Sequence, residues 1–313
     1  MIKIKKKELN IGHLSTAYHT NYILMESEDL RNDINININW MLFGTGPAMV
    51  KAFNEDKLDI GYMGLPPAII GIDQKASIKC IAGGHVEGTI LVAKKDFKTK
   101  RQLDNDLYKA FSQFKGKRIG VPSKGSIHDV ILNYYLKKYD LIEEITVKHY
   151  EQAEFIAMGM KEGVLEAGVG TPALAVFAST ILESDLIIEA SDLWLNNPSY
   201  GIFAHQKLIK NNPNLVKKFL IHHKDASRLL RESPLLAAEK ISKSFGIIDT
   251  NYAKNVLKIS PKYCIALSNG YIKATMEFVK TLHNLGYIKR NLKVEDIFEV
   301  KYVSEIHPES EHY

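Results

Sequence analysis

Two short turns combine glycine with proline at places where helices should begin, and the first of them also contains a threonine. Gly44–Pro47 (GTGP) leads into an apolar helical stripe, and its proline falls in the first helical turn, where the missing N–H is not needed. Gly64–Pro67 (GLPP) follows the apolar segment Leu58–Met63 and turns the chain into another helix. Since first-turn N–H groups lack intrahelical partners and carry partial positive charge, such turns bind small anionic or polar molecules. The expected binding residues are Thr45, Gly46, Gly64 and Leu65.

Two turns of the same kind lie farther along the chain. Ser123–Ser126 (SKGS) ends in a serine that can cap the amphipathic segment Ile127–Tyr139. A glycine and a threonine precede Pro172 at the start of another predicted helix. We expect these turns to contact the same ligand from the opposite side, through Ser123, Gly125, Ser126, Gly170 and Thr171.

Three histidines lie beside predicted turns, where an imidazole can donate or accept a hydrogen bond. His13 and His19 flank the first turn of the chain, which also contains Thr16. His85 lies near Glu87 in a loop that is flanked by glycines. All five residues are candidates for contact with a polar ligand. The alternative for each histidine is a packed or solvated ring without a ligand.

Aromatic and basic residues bear on the ligand's chemistry. Tyr18, Tyr62 and Trp194 are candidates to stack on an aromatic ligand, although packing is the favoured interpretation for Tyr62. No arginine occupies a predicted turn, and Arg118 lies in a predicted strand, so a bidentate clamp for carboxylate or phosphate is not evident. An anion would depend on helix N-termini, hydroxyls and histidine, and a neutral or aromatic polar ligand is equally compatible.

The elements that carry these turns alternate between strand and helix. This alternation runs through residues 8–93 and again through residues 116–190, and it predicts two α/β lobes, each a mostly parallel sheet flanked by helices, with a ligand cleft between the strand ends. We place the crossings between lobes near Ala93 and at Tyr200–His205. The predicted lobes are therefore 1–93 plus 206–313, and 94–205.

The C-terminal region is almost wholly helical by its periodicity, from Leu208 to Phe298. We expect the tail Tyr302–Tyr313 to be disordered.

Composition excludes several classes of function. The chain carries 41 basic and 36 acidic residues, and the lysines are scattered apart from the terminal run Lys3–Lys7, so nucleic-acid binding is not expected. Cys80 and Cys264 have no spacing typical of a zinc site; buried free thiols are favoured, and a disulfide between them is the alternative. We expect no metal, no cofactor and no catalytic residue.

Three segments together resemble a known family, the NMT1/THI5-like solute-binding proteins of nitrate, taurine, sulfonate and thiamine-precursor import systems. They are Gly12–His19 with the following helix, Gly44–Pro67, and Phe114–Pro122 preceded by Leu103 and followed by a Gly-Ser helix start. The resemblance covers about residues 8–205. It departs where Gly163–Ala167 matches only loosely, and where a Gly-Thr pair replaces the family's aromatic and acidic residues before Pro172.

The resemblance implies a two-lobed periplasmic-binding-protein fold of type II with two hinge strands, and a monomer. It implies binding of a small polar or anionic solute and its delivery to the permease of an ABC-type importer, hence an extracytoplasmic location. The N-terminus lacks the apolar region of a secretory signal, so a cytoplasmic location stays open.

Two alternatives share the scaffold. One is a pyridoxal-phosphate-dependent thiamine-pyrimidine synthase, which needs a Schiff-base lysine, a sacrificial histidine and, in that family, a cysteine-rich iron motif. This sequence has no cysteine cluster, which weighs against the synthase. The other alternative is a cytosolic ligand sensor.

Overall fold

A computed structural model describes residues 8–313, which form two five-stranded sheets with helices packed on them. The run Lys3–Lys7 lies outside the described residues. The strands, in chain order, are β1 Glu8–His13, β2 Asn37–Leu42, β3 Ile60–Met63, β4 Ile78–Val86, β5 Ile90–Lys94, β6 Arg118–Pro122, β7 Thr146–Tyr150, β8 Ala167–Gly170, β9 Ser184–Ile188 and β10 Pro198–His205.

Helices connect the strands and make up most of the C-terminal region. The first eight are α1 Asn21–Met25, α2 Glu28–Ile34, α3 Gly46–Asn54, α4 Leu65–Asp73, α5 Leu107–Ser112, α6 Ile127–Lys138, α7 Ala153–Lys161 and α8 Pro172–Ile181. The remainder are α9 Gln206–Asn211, α10 Pro213–Glu232, α11 Pro234–Phe245, α12 Thr250–Ile259, α13 Asn269–Asn284, α14 Val294–Ile297 and α15 Lys301–Ile306.

The two sheets share one topology. The first has the order β2-β1-β3-β10-β4 and the second has the order β7-β6-β8-β5-β9. In each sheet the first three strands are parallel, and one strand, β10 or β5, runs antiparallel between its two neighbours. Four of five strands in each sheet therefore point the same way. This confirms the α/β fold class and the mostly parallel direction of the strands, although the pairings themselves are mixed.

The chain passes from one sheet to the other twice, at residues 87–89 and at residues 189–197. The crossings expected near Ala93 and at Tyr200–His205 were therefore placed too late. β5 belongs to the second sheet, and β10, expected in the second lobe, belongs to the first sheet, where all eight of its residues are buried. The reason is that β10 completes the hydrogen bonding of both β3 and β4, a long-range pairing without a local signature. The division into lobes stays a prediction, with its boundaries moved to these segments.

Helix α13 lies against both halves of the molecule. It contacts α4, which follows the first sheet's β3, and also α6, which follows the second sheet's β6. Phe278 of α13 stacks on Trp194 in the second crossing, with ring centroids 4.3 Å apart. Trp194 is therefore a packing residue, and the candidate role of stacking on a ligand is not supported.

The C-terminal tail is ordered, contrary to the expectation of disorder. Lys301–Ile306 is helical, and His307 is buried. The Tyr313 hydroxyl donates to the carbonyl of Ala266 at 3.3 Å. No helix in residues 8–313 is long and apolar enough to cross a membrane.

Tight packing between β4 and β10 of the first sheet leads to one prediction about stability. A Cβ atom added to Gly84 would lie 2.1 Å from Cε2 of Tyr200, whose ring is fully buried. We expect Gly84→Ala to lower the free energy of unfolding by about 1–3 kcal/mol, the usual effect of overpacking. Gly44→Ala is the control, because an added Cβ there meets no atom within 4 Å. Equal denaturant midpoints for the two variants would contradict the packing argument.

Candidate functional site

A cleft of about 120 Å³ lies where strands of both sheets end. Its lining includes residues that directly follow β1, β3, β6 and β8, together with Ser199 from the start of the antiparallel β10. The carboxyl ends of parallel strands at a change in strand order are the usual ligand position in α/β sheets. The volume limits an occupant to a small molecule.

The wall formed by the first sheet contains the turns that open α3 and α4. The Thr45 hydroxyl caps α3 by accepting from the Ala48 N–H at 3.3 Å. Gly46 must be glycine here, because an added Cβ would lie 2.7 Å from Cγ of Pro67 in the neighbouring turn. Gly64 caps α4 and also lines the cleft.

The opposite wall contains the starts of α6, α7 and α8. The Ser126 hydroxyl accepts from the Asp129 N–H at 3.2 Å and so caps α6. Ser123 lies in the turn before this cap, and Thr171 is the N-cap residue of α8 without a capping hydrogen bond from its side chain. Five helices from both sheets thus begin at the cleft, and their N-terminal partial charges converge on it.

Hydroxyl groups dominate the polar side chains of the cleft. Two of them, those of Thr45 and Ser126, are used by the helix caps described above. No hydrogen bond within residues 8–313 occupies the hydroxyls of Ser15, Thr16, Ser123 and Thr171. These four hydroxyls therefore have free capacity to bond a ligand.

His19 forms part of the cleft's floor as a neutral ring. It is buried against Tyr200, with ring centroids 3.9 Å apart, and its Nδ1 has no hydrogen-bond partner in the described part of the chain. Burial, strengthened by the neighbouring imidazoles of His85, His13 and His223, holds the pKa of His19 well below its usual value. A neutral imidazole offers one donor and one acceptor but no charge.

A second cleft histidine, His128, was not predicted. It lies in the first turn of α6, and its Nδ1 is 3.0 Å from the hydroxyl of Thr89 in the first crossing. Burial lowers its pKa to about 3, so this ring is also neutral. Its position two residues after the Ser126 cap was the available signal, since that cap was itself predicted to contact the ligand.

The cleft's charged side chains are acidic. Glu151 and Glu154 line it on either side of Gln152, the N-cap residue of α7. Sequence reasoning missed all three, because the loop after β7 has no glycine or proline signature. No lysine or arginine lines the cleft within residues 8–313.

Eight predicted residues line the cleft: Thr16, His19, Thr45, Gly46, Gly64, Ser123, Ser126 and Thr171. Tyr18 lines it as well. Whether these residues bind a ligand stays a prediction.

Five predicted residues lie outside the cleft lining: His13, Leu65, His85, Gly125 and Gly170. Each has a structural partner instead. His13 lies edge-on against Tyr22, and Leu65 is fully buried in the core. His85 Nε2 is 2.6 Å from the carbonyl of Ser260. The Gly125 N–H donates to the Asp129 carboxylate at 2.8 Å, and Gly170 ends β8 packed against Leu174.

The two five-stranded sheets and the cleft at their strand ends are those of a periplasmic-binding-protein fold. A family model described as the NMT1-like family matches residues 3–244, and the chain belongs to that family. A comparison with curated protein sequences found no match.

Solved structures with the same fold include three solute-binding proteins. The periplasmic aliphatic sulphonate binding protein SsuA from Escherichia coli is 15% identical, with TM-score 0.78 over 94% of this chain and 92% of that chain. The alkanesulfonate-binding protein SsuA from Xanthomonas axonopodis pv. citri, bound to MOPS, is 17% identical, with TM-score 0.76 over 94% of this chain and 98% of that chain. The periplasmic nitrate-binding protein NrtA from Synechocystis PCC 6803 is 10% identical, with TM-score 0.77 over 97% of this chain and 89% of that chain.

Buried neutral histidines behind the cleft make stability depend on pH. Burial lowers the pKa of both His85 and His223 to about 4. Between pH 6.5 and pH 4 the unfolded chain binds protons at these rings and the folded chain does not. Stability is therefore full above pH 6.5 and falls as pH drops toward 4, by about 1.4 kcal/mol per pH unit for each such histidine.

Variants isolate one ring's contribution. His223→Gln should reduce the slope of unfolding free energy against pH in this range, as measured by urea denaturation. Exposed His283→Gln is the control and should keep the wild-type slope. An unchanged slope in His223→Gln would show that the pKa of this ring is not lowered in the folded protein.

Proposed function

We propose that the protein binds a small polar solute in the cleft between its two sheets. The observation that carries the proposal is the convergence of five helix N-termini from both sheets on one small cleft that also presents four free hydroxyls. N-terminal N–H groups and hydroxyls bind oxygen-rich groups without a full positive charge.

The charges of the lining narrow the ligand class. Glu151 and Glu154 attract a positive or hydrogen-bond-donating group, and the neutral rings of His19 and His128 add no positive charge. We propose a ligand that presents acceptor oxygens to the helix N-termini and a donor or amino group to the two carboxylates. A bare anion such as nitrate would meet the carboxylates without compensation and should bind more weakly.

Binding would couple to closure of the two halves about the crossing segments. Tyr287 lies just after α13, and its hydroxyl donates to the carboxylate of Asp129 in α6 at 2.6 Å. Asp129 also accepts from the Gly125 N–H beside the cleft. A ligand that contacts both walls favours the closed arrangement by its difference in affinity for the open and closed states.

We further propose that the bound solute is delivered to the permease of an ABC-type importer, and that the protein acts outside the cytoplasm as a monomer. Membership of the NMT1-like family and the fold shared with periplasmic binding proteins support this. The synthase alternative needs a Schiff-base lysine, whereas the described lining of the cleft contains no lysine, and this favours binding over catalysis.

A thermal-shift screen tests the ligand class. We expect an aminosulfonate or another zwitterion to raise the melting temperature more than the matching alkyl sulfonate or nitrate does, since ligand binding to the folded state stabilises it by mass action. The screen should also include bicarbonate, pyrimidines and flavins. A larger shift with nitrate than with any zwitterion would overturn the proposed charge preference. If no compound shifts the melting temperature, the result would count against the proposal that the protein binds a solute.

Hydroxyl variants test the position of the binding site. Thr171→Val and Ser123→Ala remove free hydroxyls without breaking a helix cap, so each should weaken affinity by about 2- to 10-fold, the value of one hydrogen bond, and leave the melting temperature of the free protein unchanged. Matched controls on the exposed end of α8 are Thr180→Val and Ser179→Ala. Titration calorimetry with the best ligand of the screen gives the affinities. Equal affinities in site and control variants would exclude this cleft.

A further inference from the structure

Three side chains of types that bind transition metals meet at the C-terminal tail, beside the C-terminal end of α15. They are Cys264, from the segment between α12 and α13, and His307 and His312, from the tail. Sequence spacing gave no sign of them, because the cysteine lies 43 and 48 residues before the two histidines. Both histidines belong to the part of the tail that was expected to be disordered.

The three donor atoms are nearly equidistant. Sγ of Cys264 lies 3.4 Å from Nε2 of His307 and 3.4 Å from Nδ1 of His312. The two nitrogens are 3.3 Å apart. A tetrahedral zinc site, with metal–sulfur bonds near 2.3 Å and metal–nitrogen bonds near 2.05 Å, separates sulfur from nitrogen by about 3.5 Å and nitrogen from nitrogen by about 3.3 Å. The observed triangle therefore matches one face of a metal tetrahedron to within about 0.2 Å.

The surroundings suit a thiolate ligand. Burial raises the pKa of the Cys264 thiol, and the Ala266 N–H, which points to Cys264 Sγ at 3.4 Å, opposes that rise by stabilising the thiolate that a metal would bind. The guanidinium of Arg231 lies close by and donates to the carbonyl of Tyr263 at 2.9 Å. Nδ1 of His307 is buried and has no hydrogen-bond partner in residues 8–313, whereas its Nε2 faces Cys264 Sγ and His312 Nδ1. A metal bound at Nε2 would leave the ring's proton on Nδ1.

We propose that Cys264, His307 and His312 form a binding site for a divalent transition metal of the zinc class. A thiolate with two imidazoles is a donor set that zinc and cobalt prefer over magnesium or calcium. Water or the Glu309 carboxylate completes the tetrahedron; Oε1 of Glu309 lies 3.8 Å from Nε2 of His307. This site is separate from the cleft and independent of the proposed solute binding.

Metal at this site would fasten the tail to the main body of the protein. The Cys264 N–H donates to the carbonyl of Gly84 in β4 at 3.3 Å, and the Gly83 N–H donates to the carbonyl of Ile265 at 2.8 Å. The segment that carries the cysteine is thus joined to the first sheet close to the first crossing. A metal bond to the two tail histidines would extend that connection to the end of the chain.

The test uses the full chain, freed of metal with a chelator and then titrated with Zn²⁺ and with Co²⁺. We expect one Zn²⁺ per chain, a higher melting temperature with Zn²⁺, and for Co²⁺ the visible bands of tetrahedral cobalt with a near-ultraviolet sulfur-to-cobalt band. His312→Ala should weaken Zn²⁺ binding by more than the roughly 10- to 100-fold that loss of a supporting group causes. His312→Cys should restore binding, since it replaces one metal-binding donor with another.

Two further variants assign the cobalt bands. Cys264→Ala should abolish the sulfur-to-cobalt band, whereas Cys80→Ala, which removes the other free thiol, should keep it. His283→Ala controls for removal of an exposed histidine. Because His312 lies on the exposed part of the tail, its variant should fold normally, as circular dichroism will show. The proposal is overturned if His312→Ala binds Zn²⁺ as tightly as wild type, or if Co²⁺ shows no tetrahedral spectrum.

Discussion

A buried carboxylate, Glu87, joins the two segments through which the chain passes between the sheets. Its N–H donates to the Asn197 carbonyl at 2.7 Å, and its Oε1 accepts from the Asn196 N–H at 3.1 Å. Its Oε2 pairs with Nζ of Lys262 at 2.7 Å, and only 1% of the residue is exposed. A carboxylate this deeply buried needs both the Asn196 N–H and the Lys262 ammonium group, and the backbone bond to Asn197 adds a second link, so the two crossings are held together. The placement of one cleft wall opposite the other depends on that position.

Beside these crossings, a layer of neutral aromatic rings supports the cleft. The Tyr18 hydroxyl contacts the Ser199 hydroxyl at 2.9 Å, and Nδ1 of His223 is 2.8 Å from the hydroxyl of Thr20. Nε2 of His223 donates to the carbonyl of Gly83 at 2.8 Å, which leaves Nδ1 as the acceptor from Thr20. Burial keeps His19 and His223 uncharged. The electrostatic character of the cleft therefore comes from the helix N-termini and from the carboxylates of Glu151 and Glu154. That balance is why the cleft suits a ligand with both acceptor and donor groups.

Much of the fold could be predicted because its signals are local. The alternation of strands and helices, and the helix caps at Thr45 and Ser126, each depend on a few neighbouring residues. The structure contains both caps as expected. The first misplaced crossing concerns β5, which pairs with the later strands β8 and β9. The second concerns β10, whose membership of the first sheet is decided by pairing with strands more than 110 residues earlier. His85 and Gly125 failed as cleft residues for a similar reason. Their polar groups are used by Ser260 and Asp129, and sequence alone does not show which partner a polar group will find.

The sequence by itself determined the fold class, the family and the turns that open the cleft, since helix caps, prolines and hydrophobic periodicity act over a few residues. The tertiary structure alone decided the partners of Glu87, the two acidic residues of the cleft, and the meeting of Cys264 with His307 and His312. Each of these depends on which distant segments pack together. Packing is set by the burial of whole helices and strands, and the spacing of individual polar residues in the chain carries no record of it.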